Sequence, residues 1–281
     1  MATFTDAFGI EIHYQHWRVE HPRAVVQLSH GVGEHSGRYA HVIAALNAAG
    51  YSVWANDHRG HGETGRAQWH GDLSKIGQPG PGGMKAALAA VEQFTELIRE
   101  TEGDLPLVLL GHSWGSLMGQ IMLNRHPERF AAVVLTGTAY RVPGYMDAGN
   151  LNRRHQHLGT TGVEWLSRDP AVSAAFVADP LCTPTPLIKL FGPIGAFRMV
   201  GIPKRHLPDV PVLIMIGGDD TLGGERSGVR LLRSLVRRGG LRDVELVVYP
   251  GARHEVFNET NREEVLTDLI AWLDDRFTVR T

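Results

Sequence analysis

Ser113 stands in Gly111-His-Ser-Trp-Gly115, directly after the apolar run VLL and directly before the helical pattern SLMGQIML. A serine hydroxyl is a weak nucleophile until a histidine takes its proton, and that histidine needs a carboxylate to fix its tautomer. A sharp strand-to-helix turn exposes the hydroxyl, and glycines two residues on either side let strand and helix approach without a Cβ clash. Downstream, the strand-like run 212–216 ends in Gly217-Gly-Asp-Asp220, and the run 244–249 ends in Pro250-Gly-Ala-Arg-His254. Acid and base thus follow the nucleophile in the order Ser, Asp, His, each at the C-terminal end of a strand, where ligands bind in open α/β sheets. Of the 15 histidines, His254 alone combines this order with this position. Asp219 and Asp220 both fit the acid, the other then serving as a turn-stabilising residue. Acyl transfer also needs two backbone N–H donors for the oxyanion. Trp114 follows the nucleophile, and Val32 lies in His30-Gly-Val-Gly33 after an early strand; these two are the candidates.

The elements that must position these groups follow from the hydrophobic pattern. Short β-branched runs at 24–28, 51–55, 107–110, 131–135, 212–216 and 244–249 read as strands. Helical spacing predicts helices over 38–49, 84–99, 116–125 and 230–237, and a last helix opened by a capping box, Thr260 to Glu263. The alternation implies an α/β protein with a mostly parallel central sheet flanked by helices. Between 140 and 208 the rhythm breaks into prolines and short apolar helical pieces, an insertion between two strands. The expected division is a core of 1–139 and 209–281 carrying a cap of 140–208.

Four stretches together resemble one family: His30-Gly-Val-Gly-Glu-His-Ser-Gly-Arg-Tyr39, Asp57-His-Arg-Gly-His-Gly62, Gly111-His-Ser-Trp-Gly115, and the strand ends at Gly217–Asp220 and His254. The chain is similar to the α/β-hydrolase superfamily from about residue 10 to residue 273, and within it to bacterial monoacylglycerol lipases and lysophospholipase-like serine hydrolases. The first stretch is the most specific to that subgroup. The resemblance implies an α/β-hydrolase fold with a helical cap insertion, Ser113 as nucleophile, His254 as base and Asp220 as acid. It also implies Val32 and Trp114 as oxyanion donors, and a serine esterase acting on monoacylglycerols or similar lipid esters. Lysophospholipase, short-chain carboxylesterase and S33-type peptidase are the rival activities; a hydrolase-fold ligand receptor with little turnover is the rival of another class. The chain departs from the pattern at Trp114 and Ser116, where relatives often carry Met and Gly. A tryptophan there is expected to narrow the acyl pocket.

Composition narrows the partners. The chain has 281 residues, 28 basic against 30 acidic, for a net charge of −2, and gives no bulk basic field for nucleic acid. Residues 141–206 hold eight basic and four acidic residues, a balance that favours neutral or anionic lipids over a substrate ammonium. Cys182 is the single cysteine, which excludes an internal disulfide and a cysteine-based zinc site. His155-Gln-His157 has no cysteine or carboxylate cluster beside it, so neither metal nor cofactor is expected. The N-terminal stretch lacks signal-peptide features and no run is long enough to span a bilayer. The expectation is a cytoplasmic protein with a peripheral membrane contact through the cap; the pattern carries no signal for oligomeric state. Fifteen histidines also predict a surface charge that climbs steeply below about pH 6.5.

Overall fold

The computed structural model describes residues 1–147 and 149–277. Its centre is an eight-stranded sheet: β1 (Ala2–Thr5), β2 (Glu11–Trp17), β3 (Ala24–Ser29), β4 (Tyr51–Asn56), β5 (Leu107–His112), β6 (Ala132–Thr136), β7 (Val212–Gly217) and β8 (Val244–Tyr249). Spatial order is β1-β2-β4-β3-β5-β6-β7-β8. The first two strands run antiparallel to their neighbours, and all pairings from β4 through β8 are parallel.

Strand side chains alternate between two cores, as a period of two requires. Val25, Leu107, Leu109, Val133, Leu135, Val212 and Ile214 pack on one face, with α3 (Gly83–Glu102), α4 (Trp114–Arg125) and α7 (Gly224–Ser234). Val26, Leu28, Val108, Leu110, Val134 and Leu213 pack on the other, with α1 (Ala40–Ala48) and α8 (Arg262–Asp274). Burial on both faces explains why the central strands read as continuous apolar runs. The stretch between β6 and β7 contains no strand among the described residues, only an isolated bridge, 3-10 turns, α5 (Pro170–Ala178) and α6 (Leu187–Phe197). α6 is broken at Gly192, whose φ of 69° and ψ of 171° interrupt it before Pro193.

Several sequence expectations need correction. β1, β2 and the short α2 (Gly62–Gln68) were not expected. β2 sits near the sheet edge and is mostly part-exposed, with Ile12 alone fully buried, so its EIHYQHW has no apolar run to detect. The helix expected over 230–237 starts earlier, at Gly224, and passes into a wider π-turn at Leu235–Gly239. The capping box does not form: α8 starts at Arg262, Glu259 accepts the Thr260 N–H at 2.9 Å, and Asn261 pairs instead with Glu264 at 2.8 Å.

Candidate active site

Each predicted group leaves the sheet at the C-terminal end of a parallel strand. Ser113 joins β5 to α4 with φ 51° and ψ −121°, a conformation that a non-glycine residue holds only when its surroundings over-determine it. The surroundings do so. A side chain at Gly115 would run into the Ser29 and His30 carbonyls, and one at Gly111 would press on the Gly115 carbonyl at 2.7 Å. The loop after β3 is equally close: a Cβ at Gly31 would lie 3.1 Å from Ser113 Cβ, so Val32 enters the site beside the nucleophile.

Asp220, at the end of β7, accepts the Leu222 N–H on Oδ1 at 2.8 Å and pairs through Oδ2 with His254 Nδ1 at 3.0 Å. Asp219 points away and meets Arg154 at 3.1 Å near the surface. His254 Nε2 is buried without a hydrogen-bond partner, on the wall of the cavity that Ser113 also lines. Burial pushes the imidazolium of His254 down, but Asp220, with Glu255 and Glu34 beyond it, raises its pKa above the ordinary histidine value. An imidazole whose Nδ1 is held by a carboxylate and whose Nε2 is unpaired, on a cavity that a serine also lines, has the components that proton relay requires.

Residues without a predicted role hold these loops together. Glu34 Oε1 accepts from Gly31 N–H and from the Tyr39 hydroxyl, each at 2.7 Å. Arg38 donates to Glu34 Oε2 at 2.7 Å and, through both terminal nitrogens, to Glu255 at 2.6 and 2.8 Å. One guanidinium thus joins the loop bearing Val32 to the residue after His254. Burial opposes the Glu34 carboxylate, yet Arg38, with His112, His30 and the Tyr39 hydroxyl, holds its pKa at about 2. Asp57 braces the same loop, accepting from Ser36 N–H and hydroxyl on Oδ1 and from Glu63 N–H on Oδ2. The motif residues Glu34 and Arg38 were visible in the sequence without this role; Glu255 carried no signal beyond its position next to His254.

The other histidines of the motifs pack together behind Trp114, the residue after Ser113. His30 and His58 stack with ring centres 4.0 Å apart, and His58 and His61 each pack 5.2 Å from Trp114. Desolvation lowers all three, His61 to about 3 and His58 well below its usual value, and lowers His112 to about 4 with help from His254. All four are harder to protonate than a free imidazole, so the expected climb of charge from all 15 histidines is smaller than composition implies. His155 Nε2 meets the Asp219 carbonyl at 3.3 Å. Among the described residues, the group whose ligand atoms come within 4.8 Å of one another is His35, Asp179 and Cys182, where His35 and Asp179 tie the loop after β3 to the insertion at 2.9 Å.

The cavity measures about 460 Å³ and is walled mainly by apolar side chains, among them Val32, Trp114, Leu117, Trp165, Leu187 and Met199. Trp114 stands against Phe191 of α6 at 5.0 Å and donates its indole N–H to Met84 Sδ at 3.3 Å. Trp165 covers the His254 ring at 4.4 Å. Of the apolar insertion residues, Leu187, Ile188 and Met199 line the cavity, whereas Ile194 and Phe197 are each 74% exposed. The insertion also meets the loop bearing Val32 directly: Thr183 N–H donates to the Gly33 carbonyl at 2.8 Å, and a side chain on Gly33, at φ 76°, would strike the Thr183 carbonyl.

Residues 20–261 match the family described as serine aminopeptidase, S33. The chain belongs to this family. This S33 hydrolase is 34% identical to a monoacylglycerol lipase of Mycolicibacterium smegmatis, over 96% of its own length and 95% of the relative's. It is 28% identical to the human monoglyceride lipase, covering 91% of this chain and 84% of that one. In structure it is similar to a highly thermostable carboxyl esterase from Bacillus coagulans crystallised with glycerol, with a TM-score of 0.85 and 26% identity over 99% of this chain and 98% of the esterase. The α/β-hydrolase fold of the S33 hydrolase is the one expected from its motifs. Among its described residues no helix is long and apolar enough to cross a membrane.

Proposed function

We propose that the protein is a serine carboxylic-ester hydrolase acting on monoacylglycerols or similar single-chain lipid esters, with 140–208 as a cap over a core of 1–139 and 209–281. The observation that carries the reading is the Asp220–His254 pair at 3.0 Å, with His254 Nε2 free on the wall of an apolar cavity that also exposes Ser113. Ser113 Oγ attacks the ester carbonyl while its proton passes to His254 Nε2. The N–H groups of Val32 and Trp114 receive the oxyanion. As the tetrahedral species collapses, the ester C–O bond breaks and His254 returns the proton to the departing alcohol. Water then attacks the acyl-enzyme, giving its proton to His254; collapse releases the fatty acid and restores the serine hydroxyl.

The cavity favours an ester over a peptide with a free amino terminus. Its acidic wall residues Glu34 and Glu255 are both engaged by Arg38, and Asp147 accepts the Gly149 N–H at 2.8 Å. Two of these three carboxylates are thus already paired with an arginine, which weakens the cavity's hold on a substrate ammonium. The relatives that carry lipase names support the lipid ester, and the exposed Ile194 and Phe197 support a peripheral contact with lipid through the cap.

The test sets monoacylglycerols, lysophospholipids, short nitrophenyl esters and proline amides side by side, with Ser113→Ala as control. Monoacylglycerols are expected to give the highest kcat/KM, and the variant to lose about 10⁴-fold or more in kcat. A fluorophosphonate is expected to label Ser113 stoichiometrically. Full activity in Ser113→Ala overturns the mechanism; a single turnover with no further release favours the receptor; preference for proline amides favours the peptidase.

A further inference from the structure

Residues 224–242 hold six arginines and one acidic residue, Glu225, in a chain whose net charge is −2. Arg226, Arg230, Arg233 and Arg237 recur at i, i+4, i+7 and i+11, which keeps them on one face of α7 and the turn that continues it. All four are exposed, and among the described residues none has a carboxylate within ion-pair distance. Arginines on the neighbouring helical surface behave differently: Arg125 meets Glu92 at 2.9 Å and Arg129 meets Glu96 at 2.8 Å. The basic face continues beyond α7. Arg238 Nε donates to the Pro203 carbonyl at 2.7 Å, and Leu207 N–H to the Gly239 carbonyl at 2.7 Å, which sets the exposed Lys204 and Arg205 beside the end of the arginine row.

We propose that this arginine face of α7, with Lys204 and Arg205, docks the enzyme on an anionic phospholipid bilayer. Arginine's planar fork pairs with phosphate in two-pronged fashion, and a row of such forks without carboxylate partners among the described residues fits a surface of phosphates. Two further features select a bilayer as the occupant. At one end the row reaches the catalytic cavity: the Arg226 guanidinium lies 4.7 Å over the Tyr145 ring, and the adjoining Met146, Asp147 and Leu222 line both the cleft beside Arg226 and the cavity itself. On the other side, the segment that arrives at Lys204 carries the exposed apolar residues Ile194, Phe197 and Ile202. Basic and apolar side chains in sequence are the combination that headgroups and acyl chains together reward. The inference rests on the reading of the enzyme as a lipid-ester hydrolase, whose substrates reside in membranes.

Co-sedimentation tests it with vesicles of phosphatidylcholine alone and of phosphatidylcholine with about 30% phosphatidylglycerol, an anionic lipid of ordinary membrane type. The wild-type chain is expected to bind the anionic vesicles at least about tenfold better than the neutral ones, and to release them in about 0.5 M NaCl, where exposed charges are screened within a few ångströms. The variant Arg230→Glu/Arg233→Glu/Arg237→Glu is expected to lose that advantage while turnover of a soluble short-chain nitrophenyl ester stays within about twofold of wild type. The milder Arg233→Gln/Arg237→Gln covers the case in which charge reversal impairs folding, and is expected to weaken anionic binding by about threefold or more. Equal binding to both vesicles, binding that ignores salt, no vesicle binding, or variants that bind as wild type would each overturn the proposal. Vesicle binding with no esterase activity overturns the enzymatic reading instead, so the two failures are distinguishable.

Discussion

Two segments of the insertion, 164–168 and α6, are held to the core by different forces. The first is stitched to the His254 loop by polar groups: Glu255 N–H donates to the Leu166 carbonyl at 2.8 Å, Arg253 to the carbonyls of Glu164 at 2.6 Å and Ser167 at 2.8 Å, and Arg168 to Glu259 at 2.8 Å. α6 makes no hydrogen bond to the core among the described residues and rests on apolar contacts such as Phe191 on Trp114. Directional bonds with buried partners resist displacement, whereas a broken helix with exposed apolar residues slides at low cost. The wall beside His254 is therefore a fixed part of the proposed catalytic frame, and under the proposed function α6 is the part suited to admit substrate.

Acid should separate core from insertion most strongly. His30, His58, His61 and His112 all belong to the core, and all have lowered pKa values. The unfolded chain binds protons at these positions below about pH 6.5 while the folded chain does not, so their stability contribution is present above that pH and lost as pH falls toward 4. Each group gives a slope of about 1.4 kcal/mol per pH unit, and a steep fall in Tm between pH 6 and pH 4 (roughly) is the expected result; a flat profile would show that these rings reach solvent. His254 runs the other way. Its raised pKa stabilises the fold below about pH 6.5, a contribution that fades as pH climbs through the folded value, while kcat/KM is expected to rise over that same interval because in the proposed mechanism only the neutral ring accepts the serine proton.

Arg38→Met is the next largest expected effect. It strands the buried carboxylates of Glu34 and Glu255 and is expected to cost about 3–5 kcal/mol, read as a drop of about 10 °C in Tm. Arg253→Ala removes the two bonds that fix Glu164 and Ser167, with an expected loss of about 2 kcal/mol and a decrease in kcat larger than any change in KM. An unchanged kcat would move the 164–168 segment out of the catalytic frame. Phe197→Ser, at the exposed end of α6, should leave stability within about 0.5 kcal/mol and soluble-ester turnover intact by calorimetry and kinetics. A large penalty there would give α6 the anchorage that its contacts lack.

The same contrast governs what was readable in the sequence. Strands buried on both faces write continuous apolar runs, and Ser113, Asp220 and His254 are chemically distinctive residues at their ends, so sheet and candidate site were both visible. β2 was not, because a strand one place in from the sheet edge with a single buried residue writes no periodicity. Glu255 was not, because an acid beside a histidine acquires meaning only when Arg38, more than 200 positions away, folds against it. The capping-box pattern misled because Glu259 competes for the N–H that the box would have used.

The contact between Thr183 and Gly33 carries a mechanical consequence. The peptide that accepts the Thr183 N–H belongs to the residue next to Val32, and the absence of a side chain at Gly33 is what allows the two backbones to touch. Covering the site and aiming an oxyanion donor are then one coordinate rather than two. In the proposed mechanism, lifting this stretch of the insertion breaks the bond that orients the loop, so an uncovered Ser113 is also an unassisted one, and water entering ahead of substrate meets it at its least reactive.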